Sequence, residues 1–129
     1  MGQLDAARSG QCWEGYGLTL TVTKADRLRA NVRIAGDLDL ASAQLLSAAL
    51  EHEIDSGRRY VRLDLSGLGF VDCTGLEALL EAHWMFLNRR GTLILLGLTR
   101  SARRLFELTG VDDVLLIASD HPHLAMPVA

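Results

Sequence analysis

The hydrophobic period of this chain switches back and forth between two residues and about 3.6, and that switching restricts the fold more than any single motif. From Leu18, "LTLTVTK" alternates apolar residues with threonine, the pattern of a half-buried strand. In "DRLRANVRIAG", Asp26 and Arg27 turn the chain, and Leu28, Ala30, Val32 and Ile34 then share one face. The two runs predict a hairpin with one buried face. The period then lengthens. Leu46, Ala49, Leu50 and Ile54 fall at helical spacing, with Ser42 as N-cap and Gly57 as stop. "YVRLDLSGL" from Tyr60 returns to strand, with Val61, Leu63 and Leu65 apolar. The strongest helix signal covers 74–88, where Leu76, Leu79, Leu80, His83 and Leu87 mark one stripe. "RRG" at 89–91 supplies cations and a glycine cap at its end. "TLILLGL" from Thr92 predicts a fully buried strand. "SARRLFELTG" predicts a short helix between Ser101 as N-cap and Gly110 as C-cap, and "VLLIAS" from Val114 a last strand.

The resulting order is β-β-α-β-α-β-α-β. Strands separated by helices of this length need crossover connections, so the expected fold is α/β, with a mostly parallel sheet and an antiparallel first hairpin. The 129 residues suit one domain with a core of its own. It is placed at 16–119, after a loose lead-in at 1–15 holding at most a short strand, and before a tail at 120–129.

Charge and cysteine use narrow the function. A formal net charge of -3 argues against a nucleic-acid binder, which shows a basic face. The arginine pairs Arg58–Arg59, Arg89–Arg90 and Arg103–Arg104 are scattered and read as solvated positions. Cys12 and Cys73 form no CxxC pair and the four histidines show no ligand spacing, so no metal site is expected. Two such cysteines read as reduced thiols. No apolar run follows a basic start, and the longest strongly apolar run, "LILLGL", is far short of the roughly 20 residues that span a bilayer. A cytoplasmic protein without membrane insertion is expected.

"FVDCTGLEALL" at 70–80 carries the chemistry. Thr74 and Glu77 fit a capping box, with Asp72 as another cap and Cys73 as a small filler. The same turn stands beyond the C-terminal end of a parallel strand, where sites lie in such folds. A phosphate on Thr74 would meet the free amides and dipole of a helix start, among the charges of Asp72 and Glu77. A nucleophilic role for Thr74 or Cys73 needs a neighbouring base, for which His52 and His83 are the candidates. His83 lies on the apolar stripe and reads as a core or rim histidine.

These residues resemble the central motif of STAS domains, the family of bacterial anti-sigma factor antagonists. The resemblance is carried by "LDLSGLGFVDCTGLEALL" at 63–80, continues upstream in "RIAGDLDLASAQLL" at 33–46, and continues downstream in "RRGTLILLGLTRSARRLFELTGVDDVLLI" at 89–117. It implies the STAS fold and a role in partner switching, with regulation of transcription in stress responses as the outcome. In that scheme the antagonist binds an anti-sigma factor that is also a GHKL-type serine/threonine kinase. Phosphorylation of the hydroxyl residue before the motif glycine breaks the complex, and a PP2C-type phosphatase restores it. The resemblance places the phosphoacceptor at Thr74. It implies a partner-binding edge of Asp37, Leu38, Asp39, Asp72, Cys73, Thr74, Gly75, Leu76 and Glu77. No catalytic residue, metal or cofactor is implied, and a weak homodimer is compatible with it. Many members read D-S-S-G where this chain reads Asp72-Cys73-Thr74-Gly75, so Thr74 is the sole hydroxyl of the motif. The alternative within the family is a subunit of a lipid-transport ABC system that binds its ATPase without phosphorylation. Such members often carry a small residue without a hydroxyl before the glycine.

Overall fold

The computed structural model describes residues 10–118. It contains one sheet of six strands in sequence order: β1 (Cys12–Gly15), β2 (Leu18–Ala25), β3 (Arg29–Leu38), β4 (Tyr60–Val71), β5 (Thr92–Leu96) and β6 (Leu116–Ile117). β1, β2 and β3 pair antiparallel, and β3 to β6 pair parallel. The crossovers are α1 (Ala43–Asp55), α2 (Cys73–Asn88) and α3 (Arg100–Thr109), with a 3-10 turn at Val111–Asp113. The expected order is present with one addition. β1 falls within the stretch read as a loose lead-in. Residues 1–9 and the expected tail at 120–129 lie outside the described residues.

Each parallel strand is placed next to its predecessor and always in the same direction. Right-handed crossovers therefore put all three helices on one face of the sheet. Burial follows. Leu18, Leu20 and Val22, Ala30, Val32 and Ile34, Val61, Leu63 and Leu65, and Leu93 and Leu95 point to the helices and are buried. The intervening residues form an open face. β5 is accordingly not fully buried, because Thr92, Ile94 and Leu96 lie half-covered on that face. Leu28 falls in the β2–β3 turn and is exposed. Asp26 caps that turn, accepting the N–H groups of Leu28 and Arg29.

The helices meet the sheet largely as the period predicts. Leu46, Ala49, Leu50 and Ile54 of α1 are buried. In α2 the stripe runs through Leu76, Leu79, Ala82, His83 and Phe86, while Leu87 is exposed. His83 is enclosed, and burial holds its imidazole below the usual histidine range. Of the two caps expected for α2, Asp72 is the one used: its carboxylate accepts the Gly75 N–H at 2.9 Å, and Thr74 lies inside the first turn. Two other helix ends differ from the expected ones. Thr99 caps α3 through the Ala102 N–H, and Ser101 is helical. After α2 the left-handed residue is Arg90. Gly91 serves another need, since a Cβ there would collide with the Arg59 backbone.

Arg58 overturns the solvated reading of the arginine pairs. It is 2% exposed and faces Glu53, itself 1% exposed, at 3.6 Å. The turn after α1 brings them together, with the Arg58 N–H bonded to the Glu53 carbonyl.

Candidate functional site

The C-terminal edge of the parallel strands gathers three loops. The first links β3 to α1 and, with the last two residues of β3, holds Asp37, Leu38 and Asp39. Asp39 accepts the N–H groups of Ala41 and Ser42, closing a tight turn. Ser42, read as an N-cap, makes no such bond. It is fully buried, donates to the Asp37 carbonyl at 2.8 Å, and accepts the Asp39 N–H at 3.0 Å. The loop is thus tied to itself, leaving the Asp37 side chain exposed.

The second loop joins β4 to α2. Its Asp72 N–H donates to the Leu38 carbonyl at 3.2 Å. Gly75 then packs so close to the first loop that a Cβ would lie 2.5 Å from the Leu38 carbonyl oxygen and 2.9 Å from its Cγ. Only glycine permits that approach. The Asp72 cap and the Gly75 contact together fix the first turn of α2 against the β3–α1 loop.

Thr74 stands on that turn. Its side chain is half-buried, and its hydroxyl makes no hydrogen bond among the described residues. It opens onto a groove of about 450 Å³ between α1 and α2, lined by Gln44, Ser47, Glu51, Glu77 and Glu81 among alanines. No lysine or arginine lines the groove. Cys73 beside it is exposed.

The nine expected partner-binding residues therefore divide. Asp37, Asp39, Asp72, Cys73, Thr74 and Glu77 reach the surface wholly or in part. Leu38, Gly75 and Leu76 are buried, and their part is to hold the loops. The third loop was missed by sequence reasoning. It is the β1–β2 turn, whose Gly17 carbonyl accepts the Asp37 N–H at 3.0 Å. Tyr16 in that turn, Leu40 and Phe70 are exposed apolar residues of the same edge. The motif register gives no sign of them, since each departs from its local pattern only through tertiary placement.

Neither candidate histidine is placed as a base for Thr74 or Cys73. His83 follows Thr74 by nine residues along α2, roughly 13 Å at the helical rise. His52 packs edge-on against Trp13 at 5.3 Å and reaches Gln11. Among the described residues no group of three or more His, Cys, Asp or Glu is placed to hold a metal. No described helix is long and apolar enough to cross a membrane.

The STAS domain model matches residues 20–124. The chain belongs to the STAS domain family. Among STAS relatives it is 30% identical to an anti-sigma-B factor antagonist of Listeria monocytogenes, over 78% of this chain and 88% of that protein. It is 32% identical to the anti-sigma-B factor antagonist of Bacillus subtilis, over 68% and 80%. The STAS fold agrees with solved structures. An anti-sigma factor antagonist from Mycobacterium paratuberculosis superposes with a TM-score of 0.68 at 23% identity, covering 83% of this chain and 87% of that one. The Bacillus cell fate determinant SpoIIAA in its phosphorylated form gives 0.60 at 19%, covering 78% and 92%. The same fold occurs in the murine anion transporter Slc26a9, at 0.61 and 18%, where the match covers 71% of this chain and 15% of the transporter.

Proposed function

We propose that this protein is an anti-sigma factor antagonist, a regulatory binding protein and not an enzyme, switched off by phosphorylation of Thr74. It binds an anti-sigma factor that is also a GHKL-type kinase, and a PP2C-type phosphatase reverses the modification. The observation that carries the reading is the state of Thr74. Its hydroxyl is unbonded and half-exposed on the first turn of α2, on an edge clamped by Asp72 and Gly75. The relatives of comparable length that bear the antagonist name support the partner class.

The local charges suggest how the switch acts. A phosphate adds about -1.5 to -2 charge. The helix start and its amides favour that charge. The surroundings already hold Asp37, Asp39, Asp72 and Glu77, so the modified edge becomes strongly negative without unfolding. A partner whose face accepts the neutral hydroxyl and the existing acids loses the fit.

Incubation with the anti-sigma factor kinase and ATP, followed by intact-mass analysis, is expected to add one phosphate to wild type and none to Thr74→Ala. An equal gain in Thr74→Ala would move the acceptor elsewhere. Thr74→Glu is expected to weaken binding to the same anti-sigma factor by about tenfold or more, while Thr74→Ala keeps it. Undiminished capture of the Thr74→Glu protein would remove charge as the switch. Capture of a transporter ATPase in place of an anti-sigma factor would move the chain to the transport branch of the family.

A further inference from the structure

The β1–β2 turn lies N-terminal to the region matched by the family, which begins at residue 20, yet it is built into the candidate site. Gly15 and Leu18 pair across it, leaving Tyr16 and Gly17 as a two-residue loop. Both have positive φ, 56° and 81°, as a type I′ hairpin turn requires. The turn is also fixed to its neighbour. The Asp37 N–H donates to the Gly17 carbonyl, and Gly36, at φ 104°, has no room for a Cβ because that same carbonyl fills the space.

Tyr16 is an unusual occupant of that place. A left-handed backbone suits asparagine or glycine, and a residue with a large side chain adopts it at a cost. Asn-Gly is the favoured pair for this turn. The ring gains nothing from the fold in return, because Tyr16 is 74% exposed. It stands on the edge that also carries Asp37, with Leu40 75% exposed on the β3–α1 loop and Phe70 54% exposed at the end of β4. Phe70 is in register with Asp37.

We infer that Tyr16 is a specificity-determining anchor for the protein partner of this edge, inserted into an apolar depression bordered by arginine or lysine. The inference rests on the antagonist reading, and the occupant is the anti-sigma factor. The chemistry of that face follows from the surface it meets. Exposed aromatic and aliphatic side chains bordering carboxylates call for apolar pockets bordered by cations, and aromatic anchors of this kind dominate interface energies. β1 extends the sheet by one edge strand, and its turn places the anchor on the same edge of the sheet as Thr74, within the span of a partner docked along that edge.

The test measures affinity for the purified anti-sigma factor of the same organism, together with the melting temperature of each variant. Tyr16→Asn removes the ring but suits the turn. It is expected to bind about tenfold more weakly, with a melting temperature equal to or above that of wild type. Tyr16→Phe keeps the ring and is expected to stay within about threefold of wild type. Leu108→Ser, which removes an equally exposed apolar side chain on α3, is expected to bind as wild type does. Equal binding by Tyr16→Asn overturns the inference and leaves the antagonist reading standing. So does a loss of affinity shared by Leu108→Ser, or one accompanied by a lower melting temperature. Failure of wild type to bind the anti-sigma factor overturns the antagonist reading, and the anchor with it.

Discussion

Gly75→Ala is expected to lower stability by about 1–3 kcal/mol and to weaken partner binding about tenfold or more. Two effects oppose each other at this position. Alanine in a helix is favoured over glycine by about 1 kcal/mol. Against that, the new Cβ lies 2.5 Å from the Leu38 carbonyl oxygen, 2.9 Å from Leu38 Cγ and 3.0 Å from Val71 Cγ2. The carbonyl is backbone and cannot swing away. It also accepts the Asp72 N–H, so moving it loosens the residue that caps α2. The clash therefore outweighs the propensity gain. The two loops part, and Thr74, Asp72 and Asp37 lose their fixed spacing. Urea unfolding together with a binding titration checks both halves. An alanine variant as stable and as tight as wild type would show that the loops are not clamped at this point.

Arg58→Ala is expected to cost about 3–5 kcal/mol, the largest single effect among these substitutions. Glu53 stays where it is, almost wholly buried, and loses its ion-pair partner. The pair itself is imperfect. At 3.6 Å it is an ion pair without a hydrogen bond, and neither Glu53 Oε1 nor Arg58 Nε has another partner among the described residues. Replacing both, as Glu53→Leu with Arg58→Met, is therefore expected to return stability to within about 1 kcal/mol of wild type. A double-mutant cycle in urea measures the coupling. The pair also predicts a pH dependence. Burial raises the Glu53 carboxyl above its ordinary 4.5, and the nearby charges of Arg58 and His52 only partly oppose it. The folded protein holds that proton more tightly than the unfolded chain. Glu53's contribution is thus fully present below about pH 4.5 and is lost as pH rises through the raised folded value. Glu53→Gln is expected to flatten this slope, and Arg58→Ala to steepen it. Unfolding curves taken from pH 4.5 to neutrality read both, and an unchanged slope in Glu53→Gln would assign the dependence to another group.

Much of the fold is legible in the sequence because it is written in short-range signals. The strand period of Val61, Leu63 and Leu65 and the helical period of Leu46, Ala49, Leu50 and Ile54 each report a one-sided burial that the structure shows. Gly110 ends α3 at φ 82°, a conformation that glycine takes at least cost. Cap assignment was less legible. Asp72, Thr74, Thr99 and Ser101 are all competent caps, and spacing alone cannot choose among neighbours. The reading of Leu87 as buried failed for a related reason. Phe86 and Leu87 are neighbours, and the sheet's position puts Phe86 on the buried stripe and Leu87 outside it. Arg58 failed for another. A basic pair before a strand reads as solvated unless the opposing Glu53 is known to be enclosed with it.

From Leu18 onward, residue pattern was enough to set the element order, the parallel sheet and the placing of Thr74 at a strand-to-helix turn, since these depend on residues within a few positions of each other. The tertiary structure alone decided which side chains that turn meets. The approach of Leu38 to Gly75 spans β3 and α2, the Glu53–Arg58 pair needs a closed core, and Tyr16 reaches the edge only because β1 joins the sheet. The first and last of these join segments whose separation in the chain carries no periodic trace, and the Glu53–Arg58 pair, though local, owes its burial to the core that closes over it. The clamp, the buried pair and the exposed ring are accordingly properties of the packed sheet and not of any stretch of sequence.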